Sequence, residues 1–408
     1  MSAQFPTRIS FSEAGQILDR VAGDGRLGVE RIALSQCLGR VLAGDVVSSL
    51  ALPGFDNAAM DGFAIRSADT AAEHARLLIV GEQFAGASLD LQVGAGECTR
   101  ITTGAPMPHG ADAVIMKEDA VVDDGRIVFA RRVRVGQHVR RVGEDVLPGD
   151  SVLRRGQGLN PAALSLAAAI GLPELEVHRR PTVAVFTSGD ELKPPGQALR
   201  PGEIHDSNRV LLQTLLRADG YEPVAWPVLP DDPARIAAAL ADAAFSFDVV
   251  ITCGGVSAGE KDFLPALLAE RGEVYFWKVR MRPGMPVLAG RLGAAHLICL
   301  PGNPVSVFAT YLTLARRFLE GLQSRTTPRT RLVAKLTSSL EKTHDRLEFL
   351  RGNLACDATG QLLVEPNPAD GSHRLRAVAD SNCLIVLPEG AARWENGSLL
   401  EVLPLAQF

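Results

Sequence analysis

The order of apolar and polar residues divides the chain into regions of different character. Residues 12–22 carry apolar side chains at the spacing of one helix face, which predicts an amphipathic helix. From about residue 53 to residue 150, short apolar runs are separated by glycine and aspartate, as in a small β-rich domain. A helix is predicted over residues 159–172, with Asn160 as its N-cap and Pro161 at its first position.

A regular alternation of apolar strands and amphipathic helices begins after residue 181. Strands of four to six residues that alternate with amphipathic helices predict a doubly wound α/β domain with a mostly parallel sheet. Beyond residue 328 the chain offers only short strands, which predict a second small β domain. The elements expected in the α/β domain are strands 183–187, 224–229, 249–252, 274–279 and 297–300, and helices 207–218, 233–244, 263–270 and 304–322.

Composition and charge exclude several classes of protein. The 408 residues include 42 basic and 47 acidic side chains, and this slight acidic excess argues against a general nucleic-acid binder. No run approaches the ~20 apolar residues of a membrane helix, and no secretory signal is recognised. The six cysteines lack the C-x-x-C spacing of zinc sites or disulfide frameworks, so we expect a reducing, cytoplasmic setting.

A glycine-rich loop follows the predicted strand 249–252 and leads into a helix. Free N–H groups at such a helix start favour an anion, and Gly254, Gly255 and Gly259 would let a phosphate approach the backbone. The loop matches neither the Walker A pattern nor G-x-G-x-x-G. Asp262, at its end, is either a functional acid or a simple helix cap.

Acidic residues also follow other strands of the predicted sheet. Glu191 comes just after strand 183–187, where open α/β sheets bind ligands, and its carboxylate could hold Mg²⁺ or remain a solvated loop acid. Asp206 precedes the next helix and is an ordinary cap former. Asp231 also precedes a helix, where an acid stabilises the helix dipole.

Three basic side chains alternate along one strand. Lys278, Arg280 and Arg282 share a face because strand side chains alternate, and they form either an anion site or a solvated sheet edge. Farther on, Asn303 and Pro304 are expected to start a helix whose N-terminus is available to an anion. Two polar loops at residues 53–64 and 100–108 could be structural turns.

The whole chain resembles the molybdopterin molybdenumtransferase family, which includes the C-terminal domain of gephyrin. The segments that carry the resemblance occur in the family's order, namely PGFDNAAMDGFAI, TGAPMP, TSGDEL, GGVSAGEKD, RPGMP, LPGNPVS, LRGNL and GSHRLR. The resemblance implies the last step of molybdenum cofactor biosynthesis, in which adenylylated molybdopterin and molybdate react with Mg²⁺ to give molybdenum cofactor and AMP.

The resemblance also implies an organisation of the chain. It divides the chain into an elongated linker domain at residues 1–50 and 145–180, an inserted β-rich domain at residues 51–144, an α/β molybdopterin-binding domain at residues 181–327, and a C-terminal β-barrel-like domain at residues 328–408. It further implies an elongated homodimer with a composite active site.

Functional positions of the family fall on identifiable residues of this sequence. Those implied to be catalytic are Asp61, Thr103, Asp145, Glu191, Asp231, Asp262, Lys278 and Arg282, of which Glu191 and Asp262 are expected to hold Mg²⁺. Those implied to bind substrate are Gly254, Gly255, Ser257, Gly259, Pro301, Gly302, Asn303, Pro304, Arg351 and Ser372.

Two departures from the family pattern concern charge and hydroxyl groups. The family's Lys-Pro-Gly-Lys-Pro stands here as Arg282-Pro283-Gly284-Met285-Pro286, so Met285 removes one cation. Its Ser-Thr-Gly-Asp-Glu begins here with Thr187 and Ser188.

Two other functions remain as alternatives. One is a molybdopterin adenylyltransferase, which would leave the flanking β domains unexplained. The other is a non-catalytic, gephyrin-like scaffold, against which the retained acids and Lys278 argue. The expected partners are a second copy of the chain and, transiently, a molybdopterin adenylyltransferase and acceptor molybdoenzymes, with no nucleic acid and no membrane.

Overall fold

The computed structural model of the chain describes residues 5–71, 75–86, 89–256, 263–329, 331–369 and 371–405. Six strands between residues 183 and 300 and one strand near the N-terminus form a seven-stranded sheet, here called the α/β sheet. Neighbouring strands are parallel except around Leu288–Leu292, which is antiparallel to both of its neighbours. In sheet order the strands are Thr7–Ile9, Glu273–Val279, Leu288–Leu292, Ala295–Leu300, Val249–Cys253, Val183–Thr187 and Val224–Ala225.

Helices cover both faces of the α/β sheet. Side chains of one strand alternate between two cores, since Val183 and Val185 pack in one cluster and Ala184 and Phe186 in the other. This is the doubly wound, mostly parallel arrangement that the sequence predicts. The helices are Ser207–Ala218, Pro233–Ser246, Leu264–Arg271, Pro304–Thr310 and Arg316–Leu322, with a π-helical turn at Tyr311–Ala315 between the last two.

The N-terminal segment packs on the α/β sheet. Strand Thr7–Ile9 pairs in parallel with Glu273–Val279, and helix Phe11–Asp24 buries Leu18 in the same core as Val183. Ser10 caps this helix by accepting a hydrogen bond from the Glu13 N–H. The sequence-based division groups these residues with the linker domain, but their packing belongs to the α/β sheet.

Short antiparallel ribbons connect the α/β sheet to the inserted domain. Their strand pairs are Val29–Ala33 with Glu174–His178, Val46–Val47 with Ser151–Leu153, and Asn57–Ala58 with Val139–Arg140. Helix Pro161–Ala169 packs among them, and the Asn160 side chain caps it as predicted. Short 3₁₀ turns occur at Leu34–Gln36, Ser67–Thr70 and Lys117–Asp119.

The inserted domain is built on a six-stranded sheet. The apolar side chains of this sheet, among them Phe63, Ile65 and Ile127, form a core of their own. In sheet order the strands are Ala113–Met116, Gly62–Ile65, Glu97–Ile101, Ala75–Gln83, Arg126–Phe129 and Val121–Asp123.

The C-terminal domain is a closed five-stranded barrel, which confirms the predicted barrel-like β domain. Its strands in order are Leu332–Leu336, Leu362–Pro366, Leu347–Cys356, Cys383–Leu387 and Leu399–Pro404, and the last pairs with the first. Met281–Arg282 pairs with the start of Leu347–Cys356 and attaches the barrel to the α/β domain. Minor elements are strands Leu192–Lys193, Ile204–His205, Leu340–Lys342 and Ala392–Trp394 and helix Leu375–Ala379.

The structure contains a strand that the sequence pattern did not reveal. Leu288–Leu292 has glycine at its centre, which in a sequence indicates a break. A Cβ on Gly290 would lie only 2.4 Å from the carbonyl oxygen of Glu273 on the neighbouring strand. Glycine is therefore needed for the close approach of two strands. Among the described residues, no helix is both long and apolar enough to cross a bilayer.

Asp248 fixes the start of strand Val249–Cys253 of the α/β sheet. Arg179 donates two hydrogen bonds of 2.8 Å to its two carboxylate oxygens, and Thr182 donates from its N–H and its hydroxyl. Burial alone would raise the pKa of Asp248, but these hydrogen bonds outweigh it and hold the pKa below the ordinary value. The stabilisation is present above the ordinary aspartate pKa and is lost as the pH falls through the lowered value.

We therefore predict that Asp248→Ala lowers the opening free energy of the α/β sheet by about 2 kcal/mol at neutral pH, because Arg179 is left half-buried without its partner. Native-state hydrogen exchange in Val183–Thr187 and Val249–Cys253 measures this. Asp19→Ala is the matched control, since Asp19 also binds an arginine, Arg317, but is half exposed and should cost less than about 1 kcal/mol. Equal effects of the two changes would contradict the prediction.

Candidate active site

Three parallel strands end at one edge of the α/β sheet and deliver their loops to the same place. The N–H of Ser188 donates to the carbonyl oxygen of Cys253, at 3.3 Å, and the N–H of Gly254 donates to that of Leu300, at 3.1 Å. The loops after Val183–Thr187, Val249–Cys253 and Ala295–Leu300 are therefore in contact. This is the edge at which open α/β sheets bind ligands.

A cleft of about 190 Å³ opens at this edge. Five residues that were implied by the resemblance line it together, although they come from four separate segments of the chain. They are Glu191, Asp231, Gly254, Gly255 and Gly302; Ser188, Gly189 and Phe263 complete the lining. Ser188, Gly189 and Phe263 were not among the predicted site residues, although each lies within a few residues of one that was.

The start of the glycine loop adopts a conformation that requires glycine. Gly254 and Gly255 have φ values of +98° and +71°, which L side chains rarely adopt. A Cβ on Gly254 would also lie 3.0 Å from the Ser188 hydroxyl. The backbone is thus left bare where it lines the cleft, as a phosphate ligand would need.

Part of the predicted loop lies outside the described residues. Ser257, Gly259 and Asp262 fall in the segment 257–262, so their predicted roles stay predictions. The helix after the loop is Leu264–Arg271, and Phe263 occupies its N-cap position without a side-chain hydrogen bond.

Acidic residues at the cleft have different roles. Asp206 is buried and accepts hydrogen bonds from Thr187, at 2.6 Å, and from the Arg209 N–H, as expected for a helix cap. Glu191 is exposed and Asp231 half-buried at the cleft, and the Asp231 N–H donates to Asp190 at 3.2 Å. Glu191 and Asp231 are the acids that line the cleft, whereas Asp206 does not.

These two acids fit a magnesium ion. Their oxygens are the hard ligands that Mg²⁺ prefers, and both line one cleft. Within the part of the chain that the structure describes, no three His, Cys, Asp or Glu residues form a complete metal cage. Mg²⁺ ordinarily takes one or two carboxylates and completes its shell with water and substrate phosphate, so the donor set is suitable.

The segment 278–286, here called the cation loop, carries the predicted basic side chains. Val279 and Met281 are buried whereas Lys278 and Arg282 are half-buried and Arg280 is exposed, in agreement with the predicted alternation. Lys278 has a φ of +67°, an unfavourable value for a residue with a side chain, and such strain is concentrated at functional positions.

The side chains of the cation loop have different partners. The Lys278 ammonium lies 3.9 Å from the centre of the Trp277 ring, a cation–π contact. Arg282 lies 3.4 Å from Glu348 of the barrel, and Arg280 forms an ion pair with Glu389. No pattern in the sequence links Glu348 or Glu389 to the loop, because both are more than 60 residues away along the chain.

A third group of predicted residues meets at the start of helix Pro304–Thr310. Asn303 holds the N-cap position, as predicted, but its amide donates to the Ser372 hydroxyl at 2.9 Å instead of capping the helix. Arg351 is buried and donates to the carbonyl oxygens of Gly371 and Ala369. The barrel therefore brings Arg351 and Ser372 to the sheet edge where Pro301, Gly302 and Pro304 also lie.

The predicted residues of the inserted domain form a separate pair. The N–H and hydroxyl of Thr103 donate to one oxygen of Asp61, at 2.7 and 2.8 Å. Among the described residues, the hydrogen bonds of Asp61, Thr103 and Asp145 all stay within residues 52–145. The structure brings Asp61 and Thr103 together but does not bring them to the cleft.

The buried cysteines are unsuited to chemistry. Burial raises the pKa of Cys299 to about 12 and also raises that of Cys253, at the end of strand Val249–Cys253, so both thiols are protonated at neutral pH. A covalent role for either sulfur is therefore not supported.

Fold and cleft together define a multidomain α/β protein with a site suited to a phosphate-containing ligand. Three family descriptions match successive parts of the chain: "MoeA N-terminal region (domain I and II)" at residues 9–171, "Probable molybdopterin binding domain" at residues 184–321, and "MoeA C-terminal region (domain IV)" at residues 333–405.

Similar proteins share the name of one enzyme. A molybdopterin molybdenumtransferase of Haemophilus influenzae is 37% identical over 380 residues, which cover 92% of this chain and 93% of the relative. Molybdopterin molybdenumtransferase 2 of Mycobacterium tuberculosis is 39% identical over 389 residues, covering 92% and 94%. The crystal structure of the molybdopterin biosynthesis moeA protein from Pyrococcus horikoshii OT3 superposes with a TM-score of 0.82 at 28% identity, covering 97% of this chain and 99% of that one.

The chain belongs to the molybdopterin molybdenumtransferase family, a family of enzymes.

Thr103 controls the ionisation of Asp61. Its N–H first and its hydroxyl second lower the pKa of this exposed carboxyl below the ordinary value. We predict that Thr103→Val raises the pKa of Asp61 only part of the way to the ordinary value, because the backbone N–H remains. Carboxyl-carbon NMR titration measures this shift.

Asp357 is the internal control, since a threonine, Thr359, lowers its pKa in a similar way. Its titration should be unchanged in the Thr103→Val protein. An unmoved Asp61 pKa would show that the hydroxyl contributes nothing.

Proposed function

We propose that this protein inserts molybdenum from molybdate into adenylylated molybdopterin, with Mg²⁺-dependent release of AMP, as the last step of molybdenum cofactor biosynthesis. The observation that carries the proposal is the cleft at the α/β sheet edge, where two carboxylates and a bare glycine turn stand beside the cation loop and the barrel residues. The names of the relatives support a transferase that acts on molybdopterin. The adenylylated form of the substrate and the release of AMP are part of our proposal.

The proposed chemistry makes particular demands on the protein. Cleavage of a phosphoanhydride depends on positioning and on neutralising charge rather than on a covalent protein group. The bare turn at Gly254 and Gly255 would accept the phosphates. Glu191 and Asp231 at the cleft, with Asp262 as the resemblance implies, would hold Mg²⁺, which when bound neutralises phosphate charge. The pterin's own dithiolene would supply sulfur to the metal, so the protein needs no reactive cysteine.

The oxyanion substrate would bind on the side of the cation loop. Molybdate is a tetrahedral dianion, and Lys278, Arg282 and Arg351 offer positive charge and N–H donors to it. Arg351 and Ser372 come from the barrel and Asn303 from the α/β domain, so this side of the site depends on the contact between the two domains.

Two alternatives make different demands. A molybdopterin adenylyltransferase would need ATP and molybdopterin, and a scaffold would turn over neither pair of substrates. The test is to incubate the full chain with ATP and molybdopterin or with adenylylated molybdopterin and molybdate. We expect AMP release in the second mixture alone; pyrophosphate release in the first would favour the adenylyltransferase.

We propose further that the active protein is a cytoplasmic homodimer whose site is shared between subunits. The pair Asp61–Thr103 is exposed on a separate domain, and its described contacts remain within that domain. Transient contacts with a molybdopterin adenylyltransferase and with acceptor molybdoenzymes would deliver the substrate and remove the product.

We predict that Glu191→Gln lowers molybdate-dependent AMP release by about 100-fold, the scale of losing one preorganised electrostatic contact. Higher Mg²⁺ should restore part of the rate, because the amide is a weaker ligand of similar shape. The measurement is the initial rate of AMP release across a Mg²⁺ series.

Glu222→Gln is the matched control, because Glu222 is an exposed acid that precedes strand Val224–Ala225 and so lies at the opposite edge of the sheet. It should leave the rate unchanged. A Glu191→Gln protein of normal rate would remove Glu191 from the site.

We also predict complementation between two inactive chains. In a two-fold dimer with shared sites, mixing Asp61→Ala with Glu191→Ala places both lesions in one site and leaves the other intact. AMP release should then reappear in the mixture at up to half of the wild-type rate per heterodimer. Verified heterodimers without activity, or a monomer in solution, would refute the shared site.

A further inference from the structure

The cation loop is held in place by the C-terminal barrel. Met281 and Arg282 pair in parallel with Leu347 and Glu348, and the Leu347 N–H donates to the carbonyl oxygen of Arg280 at 3.2 Å. The beginning of this barrel strand therefore lies directly beside the loop.

Two of the loop's cations have an acidic residue of the barrel close by. Arg280 is paired with Glu389, and Arg282 lies 3.4 Å from Glu348, a buried acid whose other oxygen lies 3.0 Å from His344. Lys278 differs, since within the described residues no carboxylate lies within 4 Å of its ammonium.

Arg346 is a second such cation, and it comes from the barrel. It immediately precedes the strand Leu347–Cys356, whose first two residues pair with the loop. Its Nη1 lies 4.0 Å from the sulfur of Met285. Arg346 is half-buried, and in the described part of the chain no carboxylate lies within 4 Å of its guanidinium.

Met285 and Lys278 lie on opposite arms of one turn. The Val279 N–H donates to the carbonyl oxygen of Met285 at 2.9 Å, and the Lys278 N–H donates to that of Val287 at 2.8 Å. The guanidinium of Arg346 therefore reaches the turn that presents Lys278. Where the family has a lysine, this chain has Met285, and Arg346 of the barrel brings a positive charge to the same place.

An unpaired, half-buried guanidinium is costly unless an anion binds it. Its planar set of donors suits a tetrahedral oxyanion, and a dianion is matched by two cations without acidic partners.

We propose that Arg346 is a binding residue for the oxyanion substrate and supplies, from the C-terminal barrel, the positive charge that residue 285 lacks. This inference deepens the proposed function and rests on it for the identity of the anion, molybdate.

The test compares the charge of Arg346 with its packing. Arg346→Met keeps an apolar side chain against Met285 but removes the charge, and Arg346→Lys keeps the charge. The full chain is titrated calorimetrically with molybdate, and the KM for molybdate is measured in the AMP-release assay. Arg331→Met is the matched control, because Arg331 is an exposed barrel arginine paired with Glu401.

We expect Arg346→Met to weaken molybdate binding by tenfold to a hundredfold, roughly the effect of one charge-assisted hydrogen bond. The KM for molybdate should rise in parallel, while the KM for adenylylated molybdopterin stays constant. Arg346→Lys should lose about threefold, and Arg331→Met should resemble the wild type.

A second change separates charge from structure. Adding Met285→Lys to Arg346→Met places an ammonium close to the vacated guanidinium position and should restore molybdate affinity to within about threefold. If neither this change nor Arg346→Lys restores affinity, the loss is one of packing and the inference is wrong. Wild-type affinity in Arg346→Met also overturns it.

A further pair of variants covers a failure of Arg346→Met to fold. Met285→Glu brings a carboxylate to Arg346 and should weaken molybdate binding as strongly as Arg346→Met, whereas Met285→Gln should not. Equal affinities in these two proteins refute the inference.

The outcomes also separate this inference from the proposed function. A wild type that releases AMP but whose affinity does not depend on Arg346 refutes the inference alone. A wild type that binds molybdate without releasing AMP refutes the proposed reaction, and the titrations still test Arg346. If the wild type does not bind molybdate, both are wrong.

Discussion

The pairing of Met281 and Arg282 with Leu347 and Glu348 is the contact on which the site depends most. Without it, residues 278–286 would be a simple connection between two antiparallel strands at one side of the α/β sheet. With it, the loop is fixed between two domains, and barrel residues reach positions that the α/β domain cannot occupy by itself. The barrel is thus part of the site rather than an appendage.

Around the sheet edge, acidic side chains line the cleft and basic side chains are concentrated in the cation loop. Glu191 and Asp231 stand at the cleft beside the glycine turn, whereas the cation loop and the barrel contribute the basic groups. This separation suits two ligands of different needs, since a phosphate–metal group requires carboxylates and an oxyanion requires cations. The chain as a whole is slightly acidic, so the basic character of the cation loop is local.

Local patterns in the sequence predicted much of the fold. Helix Ser207–Ala218 and strand Val183–Thr187 were predicted at their observed bounds, because periodicity and caps are properties of neighbouring residues. Leu288–Leu292 was missed because the need for Gly290 arises from the neighbouring strand. The packing of helix Phe11–Asp24 on the α/β sheet likewise depends on partners far along the chain.

In the candidate site, too, residues placed by contacts between distant parts of the chain could not be predicted from sequence. Glu191, Gly254 and Gly302 could be grouped from sequence because parallel strands deliver their carboxyl ends to one edge. Glu348 and Arg346 could not, since barrel closure rather than spacing places them beside residues 281–285.

The hydrogen-bonded pair Asp61–Thr103 is exposed on the inserted domain and does not line the cleft of the α/β sheet. Two hydrogen bonds from one threonine hold an exposed carboxylate in its ionised form, although a surface acid needs no such support to remain in water. The Lys117 ammonium of the same domain lies 4.0 Å from the other carboxylate oxygen and balances part of its charge. The carboxylate is nevertheless exposed, so a bound substrate or another chain can also reach it. A shared site of the kind proposed would tie activity to assembly, and the exposed Asp61–Thr103 pair is the feature of the fold that motivates this proposal.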